Sequence, residues 1–491
     1  MDFFSTRGEG PVSGARAIVN GIAKDGGLYV PSSFPKITAD DLSDMVELEY
    51  YERAAYVMSL YLDEFGYDEL KEYAKAAYDK FDGDPAPLVK VDEQTYLLEL
   101  WHGPTLAFKD VALTMLPYLL TASKKKLGEK NDTLVLVATS GDTGKAALEG
   151  FKDVDGTEIM VFYPSEGVSY MQKLQMTTTG GANTYVAGIK GNFDDAQSAV
   201  KQVFTDPEVR AKLKEGGYVM SSANSINWGR LLPQVAYYFS AYVDLVTSEE
   251  ITLGDAIDFV VPTGNFGDIL AGYYAMRMGL PVRKLVCASN INNVLTDFFE
   301  SGVYDLGREF HKTISPSMDI LISSNLERLV FEIEGRDSAA TLALMTALKR
   351  EGKYAIDLSL LRDKAGAFAA GFADEEETKD TIADVFDEYG YLIDPHTAVA
   401  VAVNGDRYEE GEELVPTVVL STANPYKFTQ DVLSALGEEQ KADPFEAVKA
   451  LTLESGVEPP EGITRLEKAE VRFLDVLAAD EIKQIVLKKA K

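Results

Sequence analysis

The chain has 491 residues, 46% of them hydrophobic, and a formal charge of −32 from 47 Lys plus Arg against 79 Asp plus Glu. That length suffices for two or three domains with large cores, and that charge disfavours non-specific binding to nucleic acid or anionic membrane, so any anionic ligand must be held by local donors against a repulsive mean field. A single cysteine, Cys287, excludes an internal disulfide and a cysteine-based zinc cluster, and three histidines (His102, His311, His396) leave little for a His-rich metal site.

The N-terminus, Met1-Asp-Phe-Phe-Ser-Thr-Arg-Gly, has neither the basic start nor the apolar core of a secretory signal. No stretch reaches the ~18 consecutive apolar residues of a membrane span. A cytoplasmic setting is the expectation. Residues 1 to about 90 read as a largely helical region in which aromatic and acidic residues mix, as in Leu48-Glu-Tyr-Tyr-Glu-Arg-Ala-Ala-Tyr. Pro85-Ala-Pro87 marks its boundary, because proline breaks helices. Strands then alternate with helices. Apolar runs of strand length fall at 134–138, 158–163, 184–189, 258–261, 284–289 and 417–420. Helical stretches fall from Lys145 onward, through Lys173, at 194–204 and at 269–278. Uninterrupted apolar strands separated by helices predict an α/β fold with open, mostly parallel sheets covered on both faces. Between about 300 and 415, glycine and acidic residues interrupt the pattern, and no role follows from it. The acidic run Asp374-Glu-Glu-Glu reads as a solvated helix face.

Lys109 stands in the run Glu99-Leu-Trp-His-Gly-Pro-Thr-Leu-Ala-Phe-Lys-Asp-Val-Ala-Leu113. Its apolar neighbours Trp101, Leu106, Phe108 and Val111 would desolvate the ammonium and lower its pKa. Such an amine can attack an aldehyde and form a Schiff base. Alone, the same lysine also reads as a surface residue at a helix start. Three loops that follow strands bear on the choice. Thr139-Ser-Gly-Asp-Thr-Gly-Lys-Ala146 is no nucleotide P-loop: its first glycine is replaced by Thr139, and the magnesium-binding hydroxyl by Ala146. Gly264-Asn-Phe-Gly-Asp268 is no dinucleotide fingerprint, since Phe266 fills the middle glycine position and no acidic residue follows at the ribose distance. It still offers a row of backbone N–H groups at a helix N-terminus, which suits a single phosphate, although an ordinary strand–helix turn has the same form. In Leu420-Ser-Thr-Ala-Asn-Pro425 a strand ends in two hydroxyls, where an α/β sheet commonly meets its ligand, or where a helix is simply capped.

Taken together, these segments resemble the threonine synthases, pyridoxal-phosphate enzymes of the tryptophan synthase β-subunit fold group. The matching stretches run in order from Ser5-Thr-Arg-Gly and Asp25-Gly-Gly-Leu-Tyr-Val-Pro31 through His102-Gly-Pro-Thr-Leu-Ala-Phe-Lys-Asp110 and Ala138-Thr-Ser-Gly-Asp-Thr-Gly144. They continue with Asn224-Ser-Ile-Asn-Trp-Gly-Arg230, Gly264-Asn-Phe-Gly-Asp268, Ser315-Pro-Ser-Met-Asp319, Asp394-Pro-His-Thr-Ala398 and Ser421-Thr-Ala-Asn-Pro425. The resemblance therefore spans nearly the whole chain. It implies two open, mostly parallel twisted sheets with an additional N-terminal region (1–90), a large cofactor-binding domain (91–130 and 235–491), and a small domain (131–234) that closes over the substrate.

It also implies residue roles. Lys109 corresponds to the Schiff-base lysine, and Gly264, Asn265, Phe266, Gly267 and Asp268 to the loop for the phosphate of pyridoxal 5'-phosphate. Thr422, or failing it Ser421, corresponds to the hydroxyl facing the pyridine nitrogen. Ser140, Gly141, Asp142 and Thr143 correspond to the loop that grips the substrate carboxylate, and Asn227 and Arg230, then Lys173, are candidates for the substrate phosphate. The family usually has histidine where this chain has Asn424. The implied reaction converts O-phospho-L-homoserine and water to L-threonine and phosphate, with Lys109 as the base. A β-replacing synthase or a dehydratase of the same fold group is the nearest rival, and such enzymes generally lack the long N-terminal region and Ser-Pro-Ser-Met-Asp. The implied partner is the small-molecule substrate, with no nucleic acid or membrane, in a monomer or homodimer.

Overall fold

The structure, a computed structural model, describes residues 1–139, 141–165, 168–191, 193–407 and 415–489. Two sheets organise it. The larger has six strands in the order Phe368–Phe372, Val282–Ser289, Ile257–Pro262, Thr417–Ser421, Thr95–Glu99, Leu88–Lys90. All neighbours pair in parallel except the edge strand Leu88–Lys90. Ile257–Pro262 and Thr417–Ser421 are buried at every position, as strands covered on both faces must be. The smaller sheet is wholly parallel, in the order Val476–Leu477, Thr184–Ile189, Thr157–Pro164, Asp132–Ala138, Tyr218–Ser221. Parallel neighbours need long crossovers, and helices supply them. The six strands expected from apolar runs are all present.

The implied domain limits shift in two places. The expected break at residue 234 falls inside the helix Trp228–Thr247, which is apolar nearly all round and buried along most of its length. It packs against the helices Lys109–Lys126 and Gly267–Met278, so it belongs entirely to the larger sheet. The C-terminal segment was expected there too, yet Val476–Leu477 extends the smaller sheet, and Ile482 and Val486 enter that sheet's core. A two-residue strand is too short to show a period.

The N-terminal region is helical as expected, with a small antiparallel sheet of Asp2–Ser5, Val12–Ser13 and Tyr29–Pro31 beside the helices. The segment without a readable pattern supplies an antiparallel pair (Val303–Asp305 with Lys353–Ala355), several helices, and the large sheet's edge strand Phe368–Phe372. That strand reads Phe-Ala-Ala-Gly-Phe, without the β-branched residues that announce a strand. Among the described residues no helix is long and apolar enough to cross a membrane.

The helix Leu326–Ile333 fastens these parts together. The Glu327 carboxylate accepts from Thr6 Oγ1 (2.6 Å) and, in a two-pronged pair, from Arg7 Nε (2.9 Å) and Nη2 (2.7 Å). Next to it, the fully buried Arg328 donates to the Tyr29 carbonyl (3.0 Å), the Ile226 carbonyl (2.7 Å) and Asn325 Oδ1 (2.6 Å). Burial lowers this guanidinium to about 10, so it stays charged at neutral pH. Replacing it strands three acceptors at once, two of them buried. Arg328→Ala is expected to destabilise the fold by about 3 kcal/mol or more. A thermal melt beside Lys449→Ala, which removes only two exposed ion pairs, checks this; equal melting temperatures would contradict it.

Candidate functional site

Lys109 opens the helix Lys109–Lys126 and is buried. The loop before it is folded by the adjacent Asp110, which accepts from the Thr105 N–H (2.8 Å) and Thr105 Oγ1 (2.7 Å). A Cβ on Gly103 would collide with the Asp110 side chain, which accounts for glycine there. Burial lowers the Lys109 amine to about 8; Asp142 pulls it back up, while Lys427 and Arg230 push it further down. The positive end of its own helix acts in the same sense as burial. Lys109 Nζ lies 4.7 Å from the centre of the Phe108 ring and donates to Ser317 Oγ at 3.2 Å.

The end of the strand Thr417–Ser421 runs beside this loop. Phe108 N–H donates to the Thr422 carbonyl (2.9 Å) and Asn424 N–H to the Leu106 carbonyl (3.1 Å), which sets Thr422 beside Lys109. The two hydroxyls part here. Ser421 Oγ accepts from Trp101 Nε1 (3.0 Å) and lies 3.2 Å from Thr397 Oγ1, whereas Thr422 lines the pocket around Lys109. Asn424 caps the following short helix through Tyr426 N–H (3.0 Å).

The opposite wall is Gly264–Asp268. Its carbonyls are tied back: Ser323 Oγ donates to the Gly264 carbonyl (2.7 Å), and Asn325 N–H (3.0 Å) and Nδ2 (3.2 Å) to the Asn265 carbonyl. Phe266 takes a left-handed conformation (φ 66°) and the helix begins at Gly267. Among the described residues, the N–H groups of Asn265, Phe266 and Asp268 then have no protein acceptor, as expected at a helix start. A Cβ on Gly264 would stand 2.6 Å from the Ser317 carbonyl oxygen. Asp268 is held by Tyr237 and Tyr238, its Oδ2 is buried without a partner among the described residues, and burial raises its carboxyl to about 6. An anion beside it would raise it further and keep it neutral, so the carboxyl does not oppose a phosphate. Free amides, a helix dipole, an adjacent low-pKa amine and a facing hydroxyl fit a phosphorylated aldehyde cofactor.

The smaller sheet contributes Gly141–Thr143 at the start of the helix Asp142–Phe151. Thr139 Oγ1 accepts from the N–H groups of Gly141 and Gly144 (3.0 Å each), leaving those of Asp142 and Thr143 at the open helix end. The Asp142 carboxylate pairs with Lys427 (3.0 Å) and accepts from Gln172 Nε2 (3.2 Å). Burial pushes this carboxyl up, but Lys427 and Lys109 hold it well below the usual range. Ser140 lies outside the described residues. Arg230 is buried and donates to the Ala223 carbonyl (3.0 Å); among the described residues it has no carboxylate partner and its Nε has no partner. Burial lowers it to about 10, so it remains a cation. Asn227 is otherwise engaged: its Oδ1 caps the helix through Gly229 N–H (2.9 Å) and its Nδ2 donates to the Ile18 carbonyl (3.0 Å). Lys173 is exposed on the helix Tyr170–Thr177.

One pocket is thus lined by Phe108, Lys109, Gly264 to Phe266, Asp268 and Thr422, and also by Ser317, Met318 and His396. Sequence reasoning left the last three, and Lys427, without a role. Of the histidines, His102 bonds Glu99 (2.7 Å), and only His396 lines this pocket.

Comparison with known proteins agrees with this architecture. Family models match in succession: threonine synthase N terminus over residues 2–78, pyridoxal-phosphate dependent enzyme over 82–422, and threonine synthase C-terminal over 397–486. A threonine synthase of Pseudomonas aeruginosa is 40% identical over 438 residues, covering 89% of this chain and 90% of that one. The crystal structure of pyridoxal-phosphate-bound threonine synthase from Brucella melitensis superposes with a TM-score of 0.89 at 39% identity, covering all of both chains. Threonine synthase from yeast gives a TM-score of 0.89 at 33% identity, over 100% of this chain and 98% of that one. With the segments in this order and a pocket of this chemistry, the chain belongs to the threonine synthase family of pyridoxal-phosphate dependent enzymes.

Proposed function

We propose that the pocket takes O-phospho-L-homoserine and releases L-threonine and phosphate, with Lys109 as both cofactor anchor and base. The observation that carries this reading is that Lys109, the Gly264–Asp268 loop and Thr422 line one pocket. Lys109 and the loop amides would hold pyridoxal 5'-phosphate, which supplies an electron sink when bound. The chain's own groups do the rest. The Lys109 amine would remove the proton from the substrate α-carbon and would also shuttle the β-carbon proton. Phosphate leaves from the γ-carbon and water adds at the β-carbon. The N–H groups of Asp142 and Thr143, at the positive end of their helix, suit the substrate carboxylate. Arg230 suits the γ-phosphate: a buried guanidinium without a carboxylate partner among the described residues is a costly arrangement that a bound dianion relieves. Asn227, spent on the helix cap, then serves to fix Arg230 rather than to touch substrate. Thr422 would present a neutral hydroxyl to the ring nitrogen, which would leave that nitrogen largely unprotonated and disfavour transamination.

Four measurements test the proposal. Borohydride treatment of the holoprotein, followed by peptide mass mapping, is expected to place the adduct on Lys109. Lys109→Ala should lower phosphate release from O-phosphohomoserine by about 10²–10⁴. An adduct on another lysine, or ammonia release from threonine as the faster reaction, would overturn the assignment. Arg230→Ala is expected to raise KM for the phosphorylated substrate about 10- to 100-fold, the worth of a charged hydrogen bond. An unchanged KM would remove Arg230 from the site. Thr422→Ala should lower kcat about 2- to 10-fold, the loss of one hydrogen bond, and shift the partition between threonine and keto-acid products. Wild-type turnover with wild-type partition would dismiss its electronic role.

A further inference from the structure

Ser317 lies on the short helix Pro316–Met318 and is the residue whose hydroxyl meets the Lys109 amine. Four restraints from separate parts of the fold converge on it. Its N–H donates to His396 Nε2 (3.1 Å). That nitrogen is therefore the unprotonated one, so His396 is neutral and its Nδ1–H donates to Asp394 (2.7 Å). The Asp394 carboxylate is itself fixed by the Thr397 hydroxyl and by the N–H groups of His396 (2.9 Å) and Thr397 (3.3 Å), as the cap of the helix Pro395–Asp406. The His396 ring rests edge-on against Phe428, 4.9 Å between centres. On the other side of Ser317, Asp319 anchors the loop to the end of the strand Val282–Ser289: it accepts from Asn290 (2.9 Å), Asn292 (3.1 Å) and Thr313 (2.7 Å). The Ser317 carbonyl in turn packs where Gly264 has no side chain.

A hydroxyl held this firmly, with its oxygen against a buried amine, is a docking point. We propose that Ser317 is the positioning residue for Lys109: its Oγ receives the ε-amine and holds it against the substrate carbons, and the Asp394–His396 pair serves to hold Ser317. The inference rests on Lys109 being the amine that carries the cofactor, and it deepens that reading. No bond is made or broken at Ser317. His396 meets Ser317 through the backbone N–H, and on this proposal its effect on Lys109 passes through that bond.

The test uses the full-length chain with Ser317→Ala, Ser317→Thr, His396→Ala and the S317A/H396A double variant. One readout is kcat and KM for O-phosphohomoserine. The other is independent of turnover: the pH midpoint for acylation of Lys109 in cofactor-free protein, followed by peptide mass spectrometry. Asp110, Asp142, Asp268, Arg230 and Lys427 face this amine in every variant and cancel in the comparison. S317A is expected to lower kcat about 10- to 100-fold with little change in KM, as a misplaced catalytic group does. It should also move the acylation midpoint to lower pH, because the ammonium form loses an acceptor. S317T, which keeps the hydroxyl, should restore most of both. H396A should lower kcat alone but add less than about twofold in the S317A background, since the two act as one unit. Wild-type kcat and midpoint in S317A, or an H396A effect of equal size in both backgrounds, would overturn the proposal. Should S317A fail to fold, H396A decides: an unchanged midpoint and kcat overturn it. A borohydride adduct away from Lys109 overturns the catalytic reading as a whole; an adduct on Lys109 with a silent S317A overturns this inference only.

Discussion

A single buried guanidinium sets the geometry on which the pocket depends. Arg328 reaches three segments that are far apart in the chain: Tyr29 of the N-terminal sheet, Ile226 before the long central helix, and Asn325, which grips the Asn265 carbonyl. A lysine would offer one point charge there; the planar fork satisfies three acceptors in fixed directions. Because Asn325 holds the carbonyl side of the Gly264–Asp268 loop, the amides are left to face the pocket. The N-terminal region is therefore more than an attached cover. Its own backbone helps hold the side chain that orients the anion-binding loop.

The same division, carbonyls tied and donors free, recurs across the site. Ser323 and Asn325 take the carbonyls of one loop; Thr139 takes two amides of the other but leaves those of Asp142 and Thr143. Each choice leaves donors where an anion would sit. A helix start makes this cheap, because its first N–H groups have no acceptor within the helix. The pocket can thus select for phosphate and carboxylate without many surface cations, which an acidic chain has few of to spare.

What could be read from the sequence, and what could not, follows from the range of the interactions. The strands were legible because each is an unbroken apolar run, and Lys109, Gly264–Asp268 and Thr422 because each sits in a short motif with its own local logic. Ser317 and His396 were not. The bond between them joins residues 79 apart in the chain, and the segment around Ser317 is irregular loop rather than a periodic element. Arg328 sits in Leu-Glu-Arg-Leu, which reads like any amphipathic helix. Only the packing of two distant segments onto it, at Tyr29 and Ile226, reveals that the charge points inward. Asn227 differs again: the resemblance suggested ligand contact, and in this structure its amide is engaged by a helix cap and by Ile18.

The charge balance near Lys109 shows how an acidic protein can still receive a doubly anionic substrate. Carboxylates do surround the site, yet each is turned toward donors of its own. Asp110 is taken by Thr105, Asp142 by Lys427 and Gln172, Asp394 by His396 and Thr397, and one oxygen of Asp268 by two tyrosines. Arg230 is the opposite case, a buried cation left without a carboxylate among the described residues. Over short distances in a low-dielectric site such local pairing outweighs the mean field of a net −32, which salt screens beyond roughly 10 Å. The neutral partners matter as much as the charged ones. His396 held as an acceptor and Thr422 as a hydroxyl add polarity around Lys109 without adding charge, so the basicity of its amine is left to burial and to Asp142, Lys427 and Arg230.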